Sequence, residues 1–198
     1  MEALDGNPAG VIADAAKAVD ASLIVAGLGR HNVVDRVLGD ETVLRLVRST
    51  STPVLAIGPE FVMPRTVVVG VDFSENSVHA AQLALRFVDR DSTVHLIHVV
   101  SGELLGAVAD GPAVYHERAI ATMTKLVKRL DVPARAHVEL VVRQGDAGAR
   151  ILEHAAEAHA DMIAIGTRGL GFVARMLSGS VATQIIRRSP IAVLTLPE

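Results

Sequence analysis

Cysteine is absent from the 198 residues. That removes disulfides, thiolate zinc sites, iron–sulfur clusters and cysteine nucleophiles in one step, and it fits a reducing compartment such as the cytoplasm. Tryptophan is absent too. One tyrosine and four phenylalanines are the only aromatics, too few for base-stacking platforms. Basic residues number 19 against 22 acidic ones, a net charge of −3, whereas gripping a nucleic-acid backbone calls for a basic excess. No uncharged apolar run reaches the ~18 residues of a membrane span. Met1–Gly6 shows no basic stretch leading into an apolar one, so no secretory signal is read. Neither nucleic acid nor membrane is therefore expected as a partner. What the chain does hold is Ala, Val, Leu and Ile: half of it is hydrophobic and 21% charged. Such a composition folds, and its length allows one domain and a fraction.

Two stretches resemble each other. Gly6–Gly27 and Gly145–Gly166 both read as a glycine, an amphipathic helix, a short apolar run and a glycine. At a constant offset of 139, Gly6, Ile12, Ala15, Ala18, Ile24 and Gly27 fall on Gly145, Ile151, His154, Glu157, Ile163 and Gly166. At an offset of 140, Gly29 and Gly39 fall on Gly169 and Gly179. Each stretch closes on Pro and an apolar run, Pro53–Ile57 and Pro190–Leu194. The chain therefore reads as two copies of one unit, the first without its front.

The second copy, from about Arg65, alternates strands and helices. Strands are expected at 66–72, 94–100, 138–142, 162–166 and 191–196, and helices at 77–88, 111–130, 147–158 and 180–188. The run Thr66–Asp72 is dominated by β-branched residues without polar alternation, as in a strand buried on both faces. Alternation of this kind gives a parallel sheet with right-handed crossovers. The fold class is α/β, a five-stranded doubly wound parallel sheet, with ligands expected beyond the carboxyl ends of its strands. The first copy offers helix 7–19, strand 22–26, helix 40–48 and strand 53–57. Pro59 and Pro64 break the chain around a linker. Domains are thus expected at 1–59 and 65–198, joined by 60–64.

One loop carries chemistry. The strand ending at Gly166 runs into Thr167, Arg168 and Gly169, and nine residues later Gly179-Ser180 opens a helix. Glycines let a ligand approach the backbone, and a helix start offers free N–H groups and a positive dipole end, together a seat for phosphate. The glycines read equally as turn formers. No G-x-x-x-x-G-K-[ST] occurs, which argues against a Walker-type ATPase. Gly169–Ala174 matches G-x-G-x-x-A, but it follows the fourth strand and has no acid at 187–195, so it is not the dinucleotide fingerprint.

The spacing Gly166-x2-Gly169-x9-Gly179-Ser180 resembles the nucleotide-binding signature of the universal stress protein A family. The strand ending Val71-Asp72-Phe73-Ser74 and the closing Ser189-Pro190-Ile191-Ala192-Val193 resemble that family's opening and end. The resemblance covers nearly the whole chain, as an N-terminally shortened tandem member. It implies an adenine-nucleotide alpha-hydrolase-like fold and ATP as the ligand, with or without Mg2+. It implies that Gly166, Gly169, Gly179 and Ser180 hold phosphates and ribose, that Thr167 and Arg168 lie in the same loop, and that Val181 adds a backbone N–H. Val71 and Asp72 would lie by the nucleotide and Val99 by the adenine. Asp72 reads equally as a turn or cap residue, and Val99 as core.

The first copy departs from the pattern. It has Gly27-Leu28-Gly29, one residue short, and Asp40 where the second copy has Ser180; a carboxylate there repels phosphate. It is not expected to bind ATP. The histidines form no metal site by spacing. His95 and His98 fall on opposite faces of a strand, and His154 and His159 off a common helix face. With no G-x-S-x-G elbow and no base beyond Asp72, a regulatory ATP-binding protein of the stress response, without a catalytic residue, is expected. The alternative is a slow ATP hydrolase or nucleotide-transfer enzyme on the same scaffold. The apolar faces of the first copy exceed what it can bury alone, so a homodimer is expected, and the resemblance to tandem members of the family implies that Pro53–Ile57 packs near Ile191–Leu196.

Overall fold

A computed structural model describes residues 8–28, 33–59, 61–89, 91–102, 111–167 and 181–197, residues 33–40 by their backbone alone. The elements run α1 (Pro8–Ala18), β1 (Ile24–Gly27), α2 (Val33–Ser49), β2 (Val54–Ile57), β3 (Thr66–Gly70), α3 (Glu75–Ala84), β4 (Thr93–Val100), α4 (Gly111–Val127), β5 (His137–Gln144), α5 (Ala147–Glu157), β6 (Met162–Gly166), α6 (Val181–Arg188) and β7 (Ala192–Leu196). The strands form one sheet in the order β1-β2-β7-β6-β3-β4-β5. All neighbours are parallel except β2 and β7. The α/β class and the doubly wound arrangement of the second copy are as expected.

The two resembling stretches share a register. Ile24 lies opposite Val54, and Ile163 opposite Val193, so both strand pairs keep the same 139-residue offset. The two copies meet where β2 runs antiparallel to β7, with Leu55 opposite Leu194. Thr195 Oγ1 donates to the Val54 carbonyl at 3.2 Å across that junction. Pro53–Ile57 thus lies against Ile191–Leu196, as the sequence led us to expect.

Strand alternation divides the core in two. Val68, Ile97, Ile163 and Val193 face α1, α2, α5 and α6, together with Ile24 and Val54 of the first copy. Val67, Val69, Leu96, Met162 and Leu194 face α3 and α4. Val67, Val68 and Val69 are all fully buried, which is why the run is β-branched without alternation. Two helices of the second copy start on side-chain caps. Ser74 Oγ accepts from the Ser77 N–H at 3.2 Å, and Asp146 Oδ1 accepts from the Ala149 N–H at 2.8 Å.

Two boundaries differ from the sequence reading in a way that matters. β3 stops at Gly70, and Val71-Asp72 lead on toward α3, Val71 still bonded to β4 through its N–H. α2 starts at Val33 rather than at 40, because Val33, Val34, Val37 and Leu38 carry a helical apolar stripe. Gly39 and Asp40 are therefore interior to a helix, and Asp40 is not the counterpart of a helix-opening Ser.

Candidate functional site

The carboxyl ends of β3, β4 and β6 enclose a cleft of about 300 Å3. The turn after β3 supplies Val71 and Asp72, β4 supplies Ile97 and Val99, and β6 with the residue after it supplies Gly166 and Thr167. The start of α6 adds Val181 and Ala182, and α5 closes the side with Ala147 and Ile151. Six of the expected site residues are thus brought together: Val71, Asp72, Val99, Gly166, Thr167 and Val181. The other four, Arg168, Gly169, Gly179 and Ser180, lie outside the described residues.

Each wall is held by identifiable bonds. The Val71 N–H donates to the Ile97 carbonyl at 2.8 Å, which keeps the turn on β4 after the β3 ladder has ended. Asp72 Oδ1 accepts from the Ser74 N–H at 3.1 Å and from Ser74 Oγ at 2.5 Å. One carboxylate oxygen thereby orders the turn that leads into α3, so the turn reading of Asp72 holds while the cap itself is Ser74, and the place of Asp72 on the cleft comes in addition. Phe73 between them has φ 67°, a left-handed conformation that a bulky side chain adopts only under constraint.

That constraint is His98, which the sequence reading set aside. His98 is buried on the face of β4 opposite His95. Its Nδ1 donates to the Val71 carbonyl at 2.8 Å. This fixes the tautomer of the neutral ring, and Nε2 accepts from the Tyr115 hydroxyl at 2.9 Å. The Phe73 ring lies over it with centroids 4.4 Å apart. Burial pushes the His98 pKa below its ordinary value, against the opposing pull of the bond to Val71 and of the Asp72 charge. Burial also raises the Tyr115 hydroxyl. A neutral His98 is thus the strut beneath the Val71–Phe73 turn. Tyr115 comes from α4, more than a dozen residues away, and no spacing rule within β4 could have paired them.

Gly166 and Thr167 form the opposite wall. A Cβ on Gly166 would lie 3.1 Å from the backbone of Asn76 and Ser77. The glycine is therefore what lets β6 pass the start of α3. The Thr167 N–H donates to the Leu196 carbonyl at 3.0 Å, and the same oxygen accepts from Asn76 Nδ2 at 3.1 Å. Among the described residues a ligand-sized, mostly apolar cleft results, with the Asp72 carboxylate and Val181 and Ala182 of α6 on its wall. Val99 is both core and cleft: it packs on the neighbouring apolar cluster and lines the opening.

Among the described residues no cluster of three or more His, Asp or Glu is placed to hold a metal ion. No helix among them is long and apolar enough to cross a membrane.

The family model described as "Universal stress protein family" matches residues 1–58 and 63–197. A universal stress protein of Synechocystis is 27% identical over 137 residues, 69% of this chain and 87% of that protein. One of Methanocaldococcus jannaschii is 28% identical over 144 residues, 68% of this chain and 84% of that protein. Among solved structures, a universal stress protein of Archaeoglobus fulgidus has the same fold, with a TM-score of 0.68 at 23% identity over 96% of this chain. The chain spans 65% of that protein's length.

Proposed function

Because the chain belongs to the universal stress protein family, we propose that its second copy is an ATP-binding regulatory domain serving a stress response in the cytoplasm. The observation that carries this is the convergence of Val71, Asp72, Val99, Gly166, Thr167 and Val181 on one cleft, at the edge of a parallel sheet where ligands of doubly wound folds sit. In this reading the adenine lies between Val71 and Val99, and Asp72 faces the ribose. The phosphates, with or without Mg2+, run to the start of α6, where the Val181 N–H and the residues Gly166, Arg168, Gly169, Gly179 and Ser180 receive them. Among the described residues the lining has one carboxylate and no lysine, which supports a reading of binding rather than turnover.

Gly179→Val would place a branched side chain in the phosphate path. Calorimetry with MgATP should show at least a tenfold loss of affinity, about 1.4 kcal/mol, with the circular dichroism spectrum unchanged. Unchanged affinity in that variant contradicts the site.

The same reading divides the chain into a first, degenerate copy at 1–59, a linker at 60–64 and a complete unit at 65–198. It also takes the chain to be a homodimer. Val25 on the outer strand β1 is 56% exposed, and β1 pairs on one side only, with β2. An open strand edge with an exposed apolar side chain favours association.

A further inference from the structure

Next to the cleft, between β4 and the helix α5 that walls it, two buried histidines face each other. His95 on β4 and His154 on α5 are each 8% exposed, with rings edge to face and centroids 5.0 Å apart. His95 Nδ1 stands 3.3 Å from His154 Nε2 and 3.3 Å from Glu139 Oε2 on β5. Further charges face the pair from both packed elements. His137 Nε2 is 3.9 Å from Glu139 Oε1. Glu157 Oε2 is 3.6 Å from His154 Nδ1 and accepts from Arg143 Nη2 of β5 at 2.9 Å. Arg150 and Glu153 of α5 pair with one another. The pair's neighbour on β3 is the apolar Val68. His154 Nδ1 has no hydrogen-bond partner among the described residues.

The contact between the two rings has room for one hydrogen. If His95 carries it on Nδ1, that N–H serves both Glu139 and the lone pair of His154 Nε2, and His154 carries its own hydrogen on Nδ1, directed at Glu157. This arrangement survives whether His95 is neutral or charged. It does not survive a proton on His154 Nε2, which sets two N–H groups, and at full protonation two positive rings, against each other inside the core. Two charged rings are therefore incompatible with the closed contact.

The position of His154 gives that movement a consequence. Ala147 and Ile151, which wall the cleft, lie seven and three residues before it, on one stripe of α5. Gly148 sits so close to α6 that a Cβ there would overlap the Gln184 side chain, so α5 and the ligand-facing α6 are in direct contact. We propose that His95 and His154 form an acid-sensitive latch that holds α5 on the sheet and so sets the shape of the nucleotide cleft. As regulation of that site it rests on the reading above. The latch is closed while the pair shares one hydrogen between the rings and opens when both rings are charged. Burial lowers the pKa of His95, with Glu139 opposing and the charges on His154 and His137 assisting. Burial thus disfavours charge on the pair, two charged rings most of all, so the closed state is the neutral-pH form and acid, below the ordinary histidine range of about pH 6.5, works against it.

Hydrogen exchange of the full chain without nucleotide tests the latch directly. Corrected for intrinsic rates, amides of residues 148–157 should lose protection relative to β3 and β6 as pH falls from about 7.5 to about 5.5. In His154→Leu, and independently in His95→Gln, that selective loss should vanish while circular dichroism reports a folded protein. Equal pH response of α5 and the strands, or a selective loss that persists in both variants, overturns the latch. MgATP titrations at the two pH values then test its link to the cleft. Affinity should fall about fivefold more in wild type than in His154→Leu, and equal changes overturn the link. If MgATP binds at neither pH, the ATP reading fails and the exchange data alone decide the latch.

Discussion

The strands β1 and β6 occupy equivalent places in the two copies, in the same register against β2 and β7, yet their surroundings differ. Ala164 is fully buried, because β3 pairs with β6 and α3 covers it. Its counterpart Val25 is 56% exposed, on a strand with β2 as its one neighbour. The glycines that end the two strands show the same contrast. A Cβ on Gly166 meets the α3 backbone at 3.1 Å, whereas one on Gly27 meets nothing within 4 Å. A motif glycine is thus a constraint only where a neighbouring element makes it one. The cleft needs the turn after β3, the end of β4 and the start of α3. The first copy repeats the strand and its glycine without them.

The contrast can be broken at those glycines. Gly166→Ala forces β6 away from Asn76 and Ser77 and should cost ~1–3 kcal/mol in urea unfolding. Gly27→Ala should stay within about 0.5 kcal/mol of wild type. Equal costs would mean that the two strand ends are packed alike. A smaller effect sharpens the contrast at the open edge. Val25→Lys should change stability by less than about 0.5 kcal/mol, because the site is exposed, yet lower the dimer fraction seen by light scattering, since a charge blunts an edge strand. Wild type that runs as a monomer at micromolar concentration contradicts the dimer, and a variant that dimerises as tightly as wild type contradicts the edge.

Much of this was legible in the residues. The β-branched run at 66–69 marked β3, the shared Pro-plus-apolar endings marked β2 and β7 as equivalent strands, and the family resemblance implied that they meet. The glycines at 166 and 169, with Gly179-Ser180, pointed to the sheet edge at which the cleft lies. What stayed hidden depends on contacts between elements. His98 reads as one more strand residue until α4 brings Tyr115 to it and the chain reversal at Phe73 brings the Val71 carbonyl. His95 and His154 are 59 residues apart and meet because α5 crosses β4. Spacing within one element, the test that set the histidines aside, is blind to both. The reach of α2 through Gly39-Asp40 was missed for another reason. Matching to the second copy placed a helix start at 40, and the apolar stripe from Val33 overrode it.

The central claim is that one cleft, in the second copy, receives the nucleotide. Hydrogen exchange of the full chain with and without MgATP at about pH 7.5, above the histidine range, tests it most directly. The account predicts added protection at residues 70–73, 97–100, 166–167 and 181–184, with residues 24–28 of the first copy unchanged. Protection that appears at 24–28, or that leaves the second-copy segments unaltered while ATP is bound, would contradict it.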